Sequence, residues 1–232
     1  MASETVQASK DTNVVKKENP TKLRRRSSAK IDGLLWRLKA RLESRTEGGH
    51  VIGITSCCPG SGVTTTLANL AIRAADHHLG PVLLMDANAV RPRQHRQFRL
   101  NPKIGLANIL VGDAAPSEAI MQTKIAGLDL LPMGDASMLD KSRIMPENHV
   151  ELLQWVRHNY SMVFVDLPQI EYLRHTLLIA KADDLTLVAV RSDSVIRDDV
   201  INQIDQLVSD GVEVTGTLLT RRRIFTPRIF RR

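Results

Sequence analysis

The chain has 232 residues, 43% of them hydrophobic, and a formal net charge of +7. That length and apolar content suit one α/β domain with a substantial buried core. No apolar run approaches the ~20 residues of a membrane span or forms an N-terminal signal segment, and two adjacent cysteines, Cys57 and Cys58, exclude a disulfide framework and a four-ligand cysteine metal site. The expected location is the cytoplasm, peripheral to the inner membrane if the charged ends engage it.

The charge is unevenly placed. Residues 1–30 carry eight Lys/Arg against three acids, and residues 221–232, RRRIFTPRIFRR, carry six Arg and no acid. Between them, acids exceed bases by four. Such ends are either solvated tails or attractors for a polyanion: an acidic partner, an anionic membrane surface or nucleic acid.

In chain order, residues 1–30 are polar and nearly free of large apolar side chains, which predicts a disordered basic tail. Residues 31–48 read as an amphipathic helix and linker. Ile31, Leu34, Leu35, Leu38 and Leu42 recur at helical spacing, so this helix is expected to dock on the domain or on a neighbouring subunit. Trp36 and Trp155 read as packing residues. The domain itself is assigned to 49–220, followed by a basic tail over 221–232.

Within it, HVIGIT (50–55) is a short apolar strand leading into a glycine-rich turn and a helix. Further strands are expected at VLLMDA (82–87), LDLLPM (128–133), MVFVDL (162–167), LTLVAV (185–190) and EVTGTLL (213–219), with helices near 105–111, 116–123, 147–158, 172–181 and 195–209. Apolar strands alternating with helices predict an α/β fold, a mostly parallel sheet covered on both faces.

The turn TSCCPGSGVTTT (55–66) has the outline of a phosphate-binding loop. Gly60 and Gly62 would permit close backbone approach, the helix N-terminus offers N–H groups, and Thr64 stands where a hydroxyl would hold Mg²⁺. Gly60, Ser61, Gly62, Val63, Thr64 and Thr65 are therefore the candidate nucleotide-binding residues. A lysine is expected where Val63 stands. A charge-assisted bond of about 1.5–3 kcal/mol is missing there, which predicts weak or absent binding of ATP or ADP with Mg²⁺. Cys57 occupies a position where a smaller residue is usual.

Beyond the loop, VLLMDANAVRP (82–92) resembles the VLLIDxDxRxP segment of bacterial tyrosine kinases, which belong to the MinD/ParA branch of P-loop proteins. HRQFRL (95–100), GLANILVG (105–112), LDLLPMG (128–134), YSMVFVDLPQ (160–169), ADDLTLVAVR (182–191) and VEVTGTLLT (212–220) follow in the family's order. The resemblance covers residues 50–220. It implies that Asp86, after the second strand, and Asp166 are the catalytic acids, vestigial or weak here, and that Thr64, Asp86 and Asp166 are the Mg²⁺ set. Arg91 and Pro92 match the family's RxP.

Several positions depart from that pattern. Asn88 replaces the second acid of the first motif, Gln169 replaces the second proline of the other, and Thr220 stands where a base-contacting Asn is usual. The tail has no tyrosine cluster; Tyr160 and Tyr172 are the chain's two tyrosines. Arg37 alone remains of the ring-forming Glu/Arg motif. The expected function is that of a catalytically impaired regulatory protein of capsular or extracellular polysaccharide synthesis and export, whose partner is an inner-membrane polysaccharide copolymerase, a chain-length regulator. The alternatives are a residual ATPase or tyrosine kinase of the same pathway, and a ParA-like DNA-binding protein. The last is disfavoured because the excess basic charge lies in the ends.

Overall fold

Alternate residues of the central strands divide between two apolar clusters, as the period of a strand dictates for a sheet covered on both sides. Val51, Leu83, Met85, Val163 and Val165 face one cluster; Ile52, Ile54, Leu84, Phe164 and Leu187 face the other. The computed structural model describes residues 28–43, 48–141, 144–193 and 197–220. The tails expected at 1–30 and 221–232 therefore lie outside the described residues except for 28–30, as do 44–47 of the linker and the start of the helix expected at 195–209.

The elements run α1 (Ser28–Leu42), β1 (His50–Ser56), α2 (Val63–Asp76), β2 (Val82–Asp86), α3 (Gln94–Phe98), α4 (Leu106–Val111), α5 (Pro116–Ala119), β3 (Met121–Gln122), β4 (Leu128–Leu131), α6 (Met138–Lys141), α7 (Pro146–Asn159), β5 (Met162–Gln169), a 3₁₀ turn (Ile170–His175), α8 (Leu177–Lys181), β6 (Leu185–Arg191), α9 (Arg197–Ser209) and β7 (Val214–Thr220). The seven strands lie in the order β3-β4-β2-β5-β1-β6-β7. All pairings are parallel except the short β3–β4 ladder.

The predicted elements are present with local changes. The helix expected over 116–123 is a single turn, because Ile120 is extended and Met121 pairs with Leu130. The strand expected to reach 133 stops at Leu131, since Pro132 has no N–H for the ladder. The helix expected over 172–181 is split, with Tyr172 at non-helical angles. The short helix α3, absent from the sequence reading, is the element that matters most for the site.

Helix α1 docks on the domain rather than standing free. Leu35, Leu38 and Leu42 are buried in the same cluster as Leu67, Leu70 and Ala71 of α2. At the margin, the Arg73 guanidinium donates to both oxygens of Asp32 at 2.7 and 3.0 Å, and His77 Nε2 lies 3.1 Å from Asp32. Trp36 is not a core residue: it is 45% exposed, with its ring 5.4 Å from that of His77. Trp155 is partly buried against the other cluster.

Candidate functional site

Strand β1 ends at Ser56 and α2 begins at Val63, so the intervening loop sits at the carboxyl edge of the sheet, where open α/β sheets bind ligands. Gly60 and Gly62 have φ of 71° and 80°, the left-handed region in which a Cβ is strained. Hydroxyls within the loop tighten it: Ser61 donates to the Cys58 carbonyl at 2.7 Å and Ser56 to the same oxygen at 3.3 Å. Gly62 caps α2 without a side-chain hydrogen bond, so the first-turn N–H groups have no capping side chain.

Val63 borders this cleft yet is 8% exposed and packs in the apolar cluster with Leu67 and Ile54. The position expected to carry a cation therefore contributes to the core. Burial pushes the Cys57 thiol up to about 11, with Cys58 adding to the effect, opposite to what a reactive thiolate requires.

Asp86 and Asp166 are cross-strand neighbours in the β2–β5 register. By strand parity they share the face of Leu84 and Phe164, beneath the start of α2. Both are fully buried. Asp86 spends its carboxylate on backbone: Oδ2 accepts N–H bonds from Arg93 and Gln94, each at 2.9 Å, and Oδ1 accepts one from Asn88 at 3.3 Å. Asn88 in turn caps the N–H of Arg91 at 2.9 Å. Asp166 Oδ2 accepts the side-chain amide of Gln94 at 2.8 Å, and the nearby Thr64 hydroxyl lowers the proton affinity of the acid.

Burial raises the proton affinity of both acids, and at Asp166 the Asp86 charge adds to it. In this cluster two buried oxygens, Asp166 Oδ1 and Gln94 Oε1, lack a partner among the described residues. They belong to side chains already joined by one hydrogen bond. Burial favours the protonated acid, whose O–H is a donor that the ionised carboxylate lacks.

Mg²⁺ is the ion implied by the resemblance, and this donor set does not fit it. A hard cation requires several oxygen ligands and usually retains water. Here Asp86 already accepts three backbone N–H groups, Asp166 accepts the Gln94 amide, both carboxyls are fully buried, and neither lines the cleft. Gln94 also donates to the Thr64 carbonyl at 3.1 Å, closing the route between the loop and the acids.

The cleft measures about 770 Å³. All six loop residues singled out by sequence, Gly60 to Thr65, line it; Asp86 and Asp166 lie below it. Thr220 is elsewhere, its hydroxyl donating to the Val190 carbonyl at 3.3 Å. The opposite wall comes from the segment after β2: Asn88, Arg91, Arg93, Arg96 and Gln97. Sequence reasoning missed Gln94, Arg93 and Arg96. The signal available was the run RPRQHRQFR (91–99), four arginines placed directly after a strand's carboxyl end.

Residues 50–203 match the family described as cellulose biosynthesis protein BcsQ. The tyrosine-protein kinase wzc of Salmonella typhimurium is 27% identical over 170 residues, 73% of this chain and 24% of that protein, so the chain spans about a quarter of its relative's length. Among solved structures, the chimerical protein CapA2B2 superposes with a TM-score of 0.70 at 25% identity, covering 88% of this chain and 91% of that one. MinD from Pyrococcus horikoshii, solved with Mg-ADP, superposes at 0.62 with 22% identity, covering 74% of this chain and 70% of that one, which speaks for the fold alone. The loop, the paired acids of the two strands and the mostly parallel sheet are thus a MinD-like P-loop fold akin to that of the bacterial tyrosine kinases, and the chain belongs to the cellulose biosynthesis protein BcsQ family.

Proposed function

We propose that this chain is a non-catalytic regulatory relative of the bacterial tyrosine kinases that acts in the synthesis and export of extracellular polysaccharide. Its partner in this reading is the cytoplasmic segment of an inner-membrane copolymerase. The family match supports the pathway, and the basic ends at 1–30 and 221–232 supply charge for an acidic partner or an anionic membrane.

Two features support the non-catalytic reading: the acid that would orient a metal, Asp166, is buried beside Gln94, and the loop position that would neutralise phosphate is a buried valine. Phosphoryl transfer depends on positioned cations that stabilise charge on the transferred group, and no such cation lies on the loop itself. Of the two tyrosines, Tyr160 is buried and donates to Asp129 at 2.9 Å, so it is no ready phosphate acceptor.

The test is gel filtration of the full chain with the copolymerase's cytoplasmic segment, with and without ATP. Co-elution is the expected result. Separate elution under both conditions would count against the partner. Phosphate release from ATP that disappears in Asp86→Ala, with the fold retained, would reinstate the enzyme reading.

A further inference from the structure

Helix α1 buries its leucine stripe against α2 and turns its other side to solvent. Lys30, Gly33, Trp36, Arg37, Ala40 and Arg41 recur at helical spacing on that side, and all are exposed. A Cβ at Gly33 would meet no atom within 4 Å, so the face is open beside its centre. That centre is Trp36, 45% exposed, with its ring against His77 and with Lys39 Nζ 5.4 Å from the indole centroid.

The leucine stripe explains why α1 docks but not what its outer side carries. A large aromatic ring held in water forgoes the stabilisation that burial would bring, and the charge around it has one sign. The helix's single acid, Asp32, is turned to Arg73 and His77 of α2 at 2.7 to 3.1 Å. Lys30, Arg37, Lys39 and Arg41 remain as the bases of the helix, and they outnumber Glu43, which follows its last turn. From residue 29 to residue 42 there is no Ser, Thr, Asn or Gln. Specific protein interfaces use directional hydrogen bonds alongside apolar contact, whereas this face offers an indole and long cations.

That composition suits the headgroup layer of an anionic bilayer. Indole rings seat at the membrane–water boundary, and Lys and Arg stems cover apolar surface while their charged ends meet lipid phosphates. Directly upstream in sequence, residues 16–26 add six Lys/Arg against one acid, which extends the attraction to a negative surface.

We infer that the outer face of α1 is a membrane-docking surface, in which Trp36 enters the headgroup layer of an anionic phospholipid bilayer and Lys30 and Arg37 engage its phosphates. A single large apolar side chain is a marginal anchor, so binding is reversible, requires anionic lipid and weakens as salt rises. The inference deepens the reading of the chain as the partner of an inner-membrane protein, and rests on it for the choice of a bilayer.

The experiment is co-sedimentation of the full chain with vesicles of phosphatidylcholine alone and of phosphatidylcholine mixed with phosphatidylglycerol, with tryptophan emission recorded on the same samples. Trp36→Ala and Arg37→Glu are compared after circular dichroism shows the native fold; both side chains are exposed, and Lys30→Glu serves if either variant misfolds. The expected result is binding to the anionic vesicles only, with a blue shift of emission that Trp36→Ala abolishes. Each substitution is expected to weaken that binding about fivefold or more. Anionic-vesicle binding that leaves the emission unmoved and is equal in the parent and both variants would assign the attraction to the basic ends alone and overturn the inference. No binding to anionic vesicles, or equal binding to neutral ones, would overturn it as well. An emission shift produced by the copolymerase's cytoplasmic segment and not by vesicles would make the face a protein contact, with the same consequence. Vesicle binding is measured without the copolymerase, so failure here is distinct from failure to co-elute with it.

Discussion

Gln94 Nε2 lies 2.8 Å from Asp166 Oδ2, joining residues 72 positions apart in sequence at a point where neither side chain has any exposed surface. This contact separates the acid pair from the cleft above it. It makes a catalytic-looking aspartate part of a buried polar cluster, with no exposed surface on which a metal-bound water could approach it.

Removing the amide leaves Asp166 short of a donor in a fully buried position. Gln94→Ala is expected to cost roughly 1–3 kcal/mol, the range for stranding a buried polar group. Urea unfolding followed by circular dichroism measures it; a loss below about 0.5 kcal/mol would mean that water takes the place of the amide.

The raised proton affinity of Asp166 fixes the sign of a pH effect. A carboxyl whose native pKa lies above its unfolded value stabilises the fold fully below about pH 4, the ordinary Asp range, and that contribution is lost as pH rises through the raised value. Asp166→Asn mimics the protonated acid: it keeps an oxygen to accept the Gln94 amide and carries no titratable charge. The variant is expected to show a flatter stability profile and to exceed the parent at pH 8 to 9. Chemical denaturation at four pH values between 5 and 9 decides it, and parallel profiles would contradict the assignment.

Val63→Lys restores the loop's missing cation at the expense of a core contact. The lysine stem can cover apolar surface while its ammonium reaches the cleft, so the fold should survive with a stability loss of about 1–2 kcal/mol. Affinity for ADP should rise at least about tenfold. Calorimetry and thermal melting on the same preparation test both halves.

Helix α1 is held by burial more than by its ion pair. Leu35 is fully enclosed between α1 and α2, so Leu35→Ala should destabilise by roughly 2–5 kcal/mol. Asp32 and Arg73 are each about a quarter exposed, so Asp32→Asn should cost far less, about 1 kcal/mol or below. Comparable losses in the two variants would show that the ion pair, and not the leucine stripe, positions the helix.

Much of this arrangement is written locally. Unbroken apolar runs in VLLMD and MVFVD mark strands buried on both faces, each leading into an acid, Asp86 and Asp166, and two glycines before a helical run mark the loop. Leucines at helical spacing mark the buried face of α1. Each signal depends on residues within one or two turns of each other, which sequence order preserves.

What the tertiary structure decided depends on partners distant in the chain. Only strand register brings Asp86 beside Asp166, and only the turn after β2 carries Gln94 over both, so nothing local reveals that the acids are sealed. Only the same turn sets Arg91, Arg93 and Arg96 across from the loop. The sequence by itself determined the layers, the loop and the absence of its lysine. Packing decided which carboxylates are buried and which charges meet across a cleft, because burial and electrostatic proximity are properties of three-dimensional neighbours.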